Sequence, residues 1–303
     1  MTPKHQSTPK PSTAPRNGAE RAAELLSILA LEPIEQNLFR GRNETRDYHR
    51  LFGGQVLSQA LSAAYATADG GTVHSLHGYF LRAGSHRLPV LYEVDRIRDG
   101  RSFATRRVVG IQSGQAIFSM SVSLHKQEVG FDHALPMPNV PPPEELEDDE
   151  VVAARLPPDA PGLSPMARIQ RPFYMRSVFA ADATDFAADR RFNPVWIKFR
   201  DAVADDVALH HCLLAYASDM GLVSTGTLPH QSSIDRRSLQ MASLDHGLWI
   251  HRAVRVDDWL LFHKHTTTAA GARGLSHGEF FSRDGLLVAS VTQEGLLRPA
   301  RKA

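Results

Sequence analysis

The segment QMASLDHGLWIHR, residues 240–252, brings a serine, an aspartate and a histidine within four positions: Ser243, Asp245 and His246. A nucleophile, a base and an orienting carboxylate are the parts of a hydrolase triad. The segment reads as a strand, and side chains alternate faces along a strand. Unless a bulge intervenes, Ser243 and Asp245 then share one face and His246 takes the other, which keeps the histidine from the ~3 Å that a base needs. No G-x-S-x-G elbow occurs in the chain, so a serine triad drawn from this segment is not expected. Two other residues are chemically out of place. Asp219 ends the helical run LLAYASDMG, where a negative charge opposes the helix dipole. Gln293 sits inside the apolar run LLVASVTQEGLL.

The elements that must position these residues follow from hydrophobic period and turn chemistry. A short amphipathic helix is expected from Glu20 to Leu31, stopped by Pro33, then a strand at NLFRGRN and a small-sided helix over about residues 54–68. Four strands follow at 73–82, 88–97, 102–112 and 115–126, with turns at Asp99-Gly100 and Ser113-Gly114. Residues 127–172 hold ten of the nineteen prolines and the acidic run EELEDDE, and read as a linker with room for one short helix. The strand–helix–four-strand pattern then returns: VWIKFR, a helix over 205–220 and four further strands. A shift of 170 lays PVLYEV on WLLFHK and QAIFSMSVS on GLLVASVTQ. This is an internal duplication of an α+β unit, a curved antiparallel sheet around a long helix. At that shift Gln293 falls on Ser123, and aligning Tyr216 with Tyr65 sets Asp219 on Ala68. Polar residues at core positions of one copy only need a reason.

Composition bounds the class. The chain has 303 residues, 42% apolar, with Lys+Arg 34 against Asp+Glu 33. No global field favours nucleic acid or an anionic membrane. One cysteine, Cys212, excludes an intramolecular disulfide and a Cys-rich zinc site. No apolar run of membrane-spanning length occurs, so no stable membrane insertion is expected. The expected location is cytoplasmic. Residues 1–18 read as a disordered tail.

The blocks LFGGQVLSQAL, HSLHGYFLRAGS, RDGRSFATRRVVGIQSGQAIFSM, LLAYASDM, MASLDHGLWIHR and LLVASVTQEGLLR together resemble the acyl-CoA thioesterase II family, the TesB-type double hotdog. The likeness runs from about Glu20 to Arg298. It implies two tandem hotdog domains, at 19–126 and 173–303, joined by the linker 127–172, with catalysis in the second. It implies an acyl-CoA substrate, no cofactor, no metal, and a homodimer or homotetramer. In that family an Asp, a Ser or Thr and a Gln activate water; the matching positions here are Asp219, Ser243 and Gln293. The sequence departs from the family at LRAGS, where Pro often precedes the Gly. In single hotdog enzymes, amides at a helix N-terminus polarise the thioester carbonyl. FGGQ opens the first helix here, so Gly54 and Gln55 are candidate substrate-binding residues.

Blander roles compete at each position. Asp219 could cap the next turn, Ser243 could bond backbone, and Gln293 could be a satisfied buried amide. His210, His211 and Cys212 are consecutive on a helix and diverge, so no metal site is expected there. His263 and His265 share a strand face without an evident third ligand, which favours a solvated or core role. His77 reads as a packed strand histidine, and the acidic run 144–150 as a solvated linker. Two other functions stay open: a hotdog enoyl-CoA hydratase or dehydratase, which needs an Asp/His pair such as Asp245 and His246, and a non-catalytic acyl-CoA-binding protein.

Overall fold

The structure is a computed structural model that describes residues 17–45, 50–157, 169–179, 191–231, 234 and 238–299. Most of the expected tail therefore lies outside the described residues. Its last residue but one, Asn17, caps helix α1 (Gly18–Leu29) in a reciprocal capping box with Glu20. The helix ends four residues before Pro33, which instead lies in strand β1 (Glu32–Glu35), an edge strand where its missing N–H costs little.

Strand β2 (Leu38–Gly41) leads to helix α2 (Gly53–Tyr65). Strands β3 (Thr72–Phe80), β4 (Val90–Asp99), β5 (Phe103–Gln112) and β6 (Gln115–His125) follow, close to their expected bounds. Helix α3 (Asp149–Arg155) lies in the linker. The second half holds β7 (Phe173–Ser177), which sequence reading missed, then β8 (Phe192–Phe199) and helix α4 (Val207–Ser218). A one-turn helix α5 (Leu222–Thr225) precedes β9 (Leu239–Ser243), β10 (Asp245–Ile250), β11 (Leu260–Ala270), β12 (Arg273–Ser282) and β13 (Leu287–Pro299).

The thirteen strands of the described residues form one antiparallel sheet in the order β1-β2-β4-β5-β6-β3-β10-β13-β12-β11-β8-β7, with β9 also paired to β13. The halves join where β3 pairs β10. There Gly247 faces His77, its own counterpart at the shift of 170, so a pseudo-two-fold axis runs through that pair. The sheet wraps both long helices. Ala60, Ala63 and Ala64 of α2 and Leu213, Leu214, Ala215 and Ala217 of α4 are all fully buried. Small side chains let α2 and α4 lie against each other inside one core. Among the described residues no helix is long and apolar enough to cross a membrane.

From Met137 to Arg155 the linker is a folded strap, whereas residues 127–136 are exposed. Met137, Val140 and Leu146 pack on Trp196, Leu261 and Phe281 on the outer face of the second half, and the Trp196 indole N–H donates to the Pro141 carbonyl. The acidic run is engaged along most of its length. Asp148 caps α3, Asp149 accepts from Ser177, Glu150 pairs with Arg200, and Glu144 pairs with Arg283.

Candidate active site

Asp219 follows the last turn of α4 and is buried. Its carboxylate collects three donors. The Gln293 amide lies 2.7 Å from Oδ1, the Ser243 hydroxyl 3.4 Å from the same oxygen, and the Gly54 backbone N–H 2.8 Å from Oδ2. Residues 24 and 74 positions apart in the chain thus meet at one carboxylate. Burial raises the Asp219 pKa to about 6, and the three hydrogen bonds from Gln293, Gly54 and Ser243 oppose that rise. The helix C-terminus favours the neutral acid as well.

The helix α2 N-terminus reaches this site, but not as expected. The Gly54 N–H is committed to Asp219, and the Gln55 N–H bonds back to the Phe52 carbonyl at 3.2 Å. Neither amide stands open for a substrate carbonyl. The Gln55 side chain braces a loop, accepting from the Glu44 N–H and donating to Asn43. Close approach explains the glycines. A Cβ on Gly53 would sit 2.8 Å from the Asp219 carboxylate, and one on Gly54 would sit 2.5 Å from the Tyr216 carbonyl.

His246 also joins the site, which corrects the alternation argument. The opening segment is two strands, not one: Leu244 belongs to neither β9 nor β10. That break resets the pleat, so His246 points inward although Ser243 does too. Its Nδ1 lies 3.1 Å from Gln293 Nε2 and its Nε2 lies 2.8 Å from Ser218 Oγ. A carboxylate only accepts, so Gln293 Nε2 must donate to Asp219, and its second proton goes to His246 Nδ1. His246 is then the Nε2–H tautomer, donating to Ser218, whose hydroxyl donates to the Ala215 carbonyl at 2.8 Å. Burial lowers the His246 pKa to about 3, so the ring stays neutral. Asp245 points elsewhere and accepts from the Glu294 N–H. The Asp245–His246 pair that a dehydratase would need is not formed.

This relay leaves one group unused. Gln293 Oε1 is buried with no partner, and so is the Ser276 hydroxyl, directly opposite Gln293 in the β12–β13 register. Orphaned buried acceptors and donors call for a guest that bonds them. Ser276 went unnoticed in the sequence; its signal is a run of small residues on the inward face of β12, Gly274, Ser276 and Gly278. Lys264 is buried nearby in the chain fold, 3.4 Å from the Met220 carbonyl, and burial lowers its pKa to about 8. A shallow basic cavity of about 380 Å³, lined by Arg40, Arg42, Asn43, His86 and Arg87 among others, contains none of the three candidate residues.

The pseudo-symmetry gives the counterparts. Ser276 pairs Gln293 as Arg106 pairs Val122. The counterpart of Gln293 is therefore Val122, at a shift of 171, not Ser123. The β12–β13 turn is one residue longer than the β5–β6 turn, and that slips the alignment. Leu76 faces Val122 as His246 faces Gln293 in the adjoining strand order, and Arg106 fills the first copy's equivalent position. The Arg106 guanidinium is fully buried and donates to Thr67, just past α2, and to Asp99. In the first copy a cation closes the helix end that, in the second, carries Asp219.

The remaining candidates fall into structural roles. His211 bonds the Tyr65 hydroxyl at 2.7 Å, His210 accepts from the Val256 N–H, and Cys212 is a buried apolar filler. His77 is exposed and packs edge-on against Trp249.

Two family models match the chain: one described as acyl-CoA thioesterase over residues 170–296, and one described as acyl-CoA thioesterase N-terminal domain over residues 43–125. Acyl-coenzyme A thioesterase 8 of Mus musculus is 38% identical over 93% of this chain and 91% of its own length. Acyl-CoA thioesterase 2 of Haemophilus influenzae is 34% identical over 90% of this chain and 96% of its own length. Among solved structures, acyl-CoA thioesterase II TesB2 from Mycobacterium marinum aligns with a TM-score of 0.76 at 38% identity, covering 91% of this chain and 98% of that one. With relatives this similar over nearly the whole length, and a double hotdog to match, the chain belongs to the acyl-CoA thioesterase family.

Proposed function

We propose that the protein hydrolyses acyl-CoA thioesters to a free acid and CoA by direct attack of a water held between Asp219, Ser243 and Gln293. The observation that carries the reading is the convergence of those three side chains on one buried carboxylate, with Gln293 Oε1 left unpartnered beside it. A water that donates one hydrogen to Asp219 and the other to Gln293 Oε1 turns a lone pair outward, toward the thioester carbon. Ser243, which can donate or accept, completes its shell.

As the water oxygen bonds to the carbonyl carbon, its proton passes to Asp219. The C–S bond then breaks, the thiolate leaves, and the proton is returned to the departing sulfur. No acyl-enzyme forms. A base with a pKa near 6 is ionised at neutral pH and still basic enough to accept the proton. His246 takes no proton; it fixes the Gln293 amide so that its NH₂, not its carbonyl, meets Asp219.

The test is release of free thiol from saturated acyl-CoAs of graded length. The wild type should turn over, and Asp219→Ala should lose roughly 10²–10⁴-fold in kcat. Trapping of an acyl group on Ser243, or full activity in Asp219→Ala, would replace this mechanism with another.

A further inference from the structure

On the outer face of the second half lies a cluster that hydrolysis does not use. We propose that His263, His265 and Glu279 form a binding site for a divalent transition-metal ion of the zinc type. His263 and His265 alternate with the inward Phe262 and Lys264 on β11, so both imidazoles stand on the face away from Asp219. On β12, Glu279 is directly opposite His263 and His277 directly opposite His265. The sequence offered two histidines without a third ligand; cross-strand register supplies it.

The spacing fits an ion better than it fits hydrogen bonds. One donor atom from each of the three residues lies within 4.8 Å of the others. Glu279 Oε2 is 3.4 Å from His263 Nδ1 and 3.7 Å from His265 Nδ1. A charge-assisted imidazole–carboxylate bond would close to about 2.7–2.9 Å. A tetrahedral zinc ion with ligands at about 2.0–2.1 Å holds them roughly 3.3 Å apart. His265 Nδ1 is moreover buried with no hydrogen-bond partner, the Glu279 carboxylate lying too far away for one.

The rings are also held in place. Phe192 packs on His263 and His265, with centroids 5.3 and 5.8 Å away. His277 stacks on His265 at 5.2 Å. Both His277 nitrogens are engaged by hydroxyls, Nδ1 with Thr292 and Nε2 with Thr267, which makes it a wall and not a ligand. Two imidazoles and a carboxylate select a zinc, cobalt or nickel type of ion over calcium or magnesium, and leave a coordination position open.

The experiment uses the full-length chain after chelator treatment. Co²⁺ is titrated and followed by its visible absorption, and Zn²⁺ by calorimetry, for wild type, His265→Ala, Glu279→Gln and, as a control histidine at the end of β6 outside the cluster, His125→Ala. Thioester hydrolysis reports that each variant is folded. Wild type and His125→Ala should bind one ion per chain, with Zn²⁺ displacing Co²⁺. His265→Ala and Glu279→Gln should each weaken binding at least about 10–100-fold, the penalty that even indirect partners of a metal carry. No saturable binding by the wild type, or undiminished binding by both folded variants, overturns the site. Should one variant not fold, the other decides.

Discussion

At Asp219 the physical conflict is visible in the residue itself. A carboxylate is buried at a helix C-terminus, where both burial and the dipole oppose its charge. Its folded pKa, raised to about 6, lies above the usual value of 3.8, so between those values the folded chain holds a proton that the unfolded chain has lost. Stability contributed by this group is therefore present in acid and is lost as pH rises through about 4 to 6. The shift corresponds to at most ~3 kcal/mol. Urea unfolding should show the stability of wild type relative to Asp219→Asn falling over that window and level above it. Hydrolysis should run the other way: kcat/KM rises with unit slope up to about pH 6 and then flattens, because only the ionised form is a base. His246 makes a second residue-scale prediction. Replacing it with Leu, its first-copy counterpart, removes the bond that orients Gln293. One such bond is worth about 1 kcal/mol, so kcat should fall by roughly fivefold with KM little changed. His246→Asn, whose carbonyl can stand in for Nδ1, should recover part of the loss. Asp219 and Gln293 stood out in the sequence because each breaks a local rule, and the family resemblance was what joined them to Ser243. His246 did not stand out, because strict alternation hides it and nothing around Leu244 announces a break.

Among the elements, most of the strands and both long helices follow from hydrophobic period and Gly-containing turns. The linker is where sequence reading fell short. Its acidic run read as a solvated linker, yet Met137, Val140 and Leu146 around it cover the outer surface of the second half. The deciding signal is Trp196, an aromatic on the outward face of β8 that only a covering segment can bury. Trp196→Ala should destabilise the protein by about 3–5 kcal/mol in denaturant titration, through a large cavity and the orphaned Pro141 carbonyl. The missed strand β7 has the same cause. Its five residues are too short to show a period, and it forms because β8 offers an unpaired edge.

For the whole molecule, the halves are not separable machines. Strand β3 of one pairs β10 of the other, α2 lies on α4, and the first half donates a backbone N–H to the second half's carboxylate. The duplication was legible as repeating element order, but its register was not, since one additional turn residue displaces the apparent match of Gln293 from Val122 to Ser123. Residues 1–126 and 127–303, produced apart, should each lack thiol-releasing activity, and co-expression should restore it by pairing β3 with β10. Active halves in isolation would contradict that dependence.

Arg106 has one more consequence. Its guanidinium fills the first copy at the position that the small Ser276 holds in the second, and Leu76 and Val122 stand beside it as hydrocarbon. With the Asp219 set present in one copy and Arg106 filling the matching place in the other, a tight-binding thioester mimic should saturate the enzyme at one molecule per polypeptide.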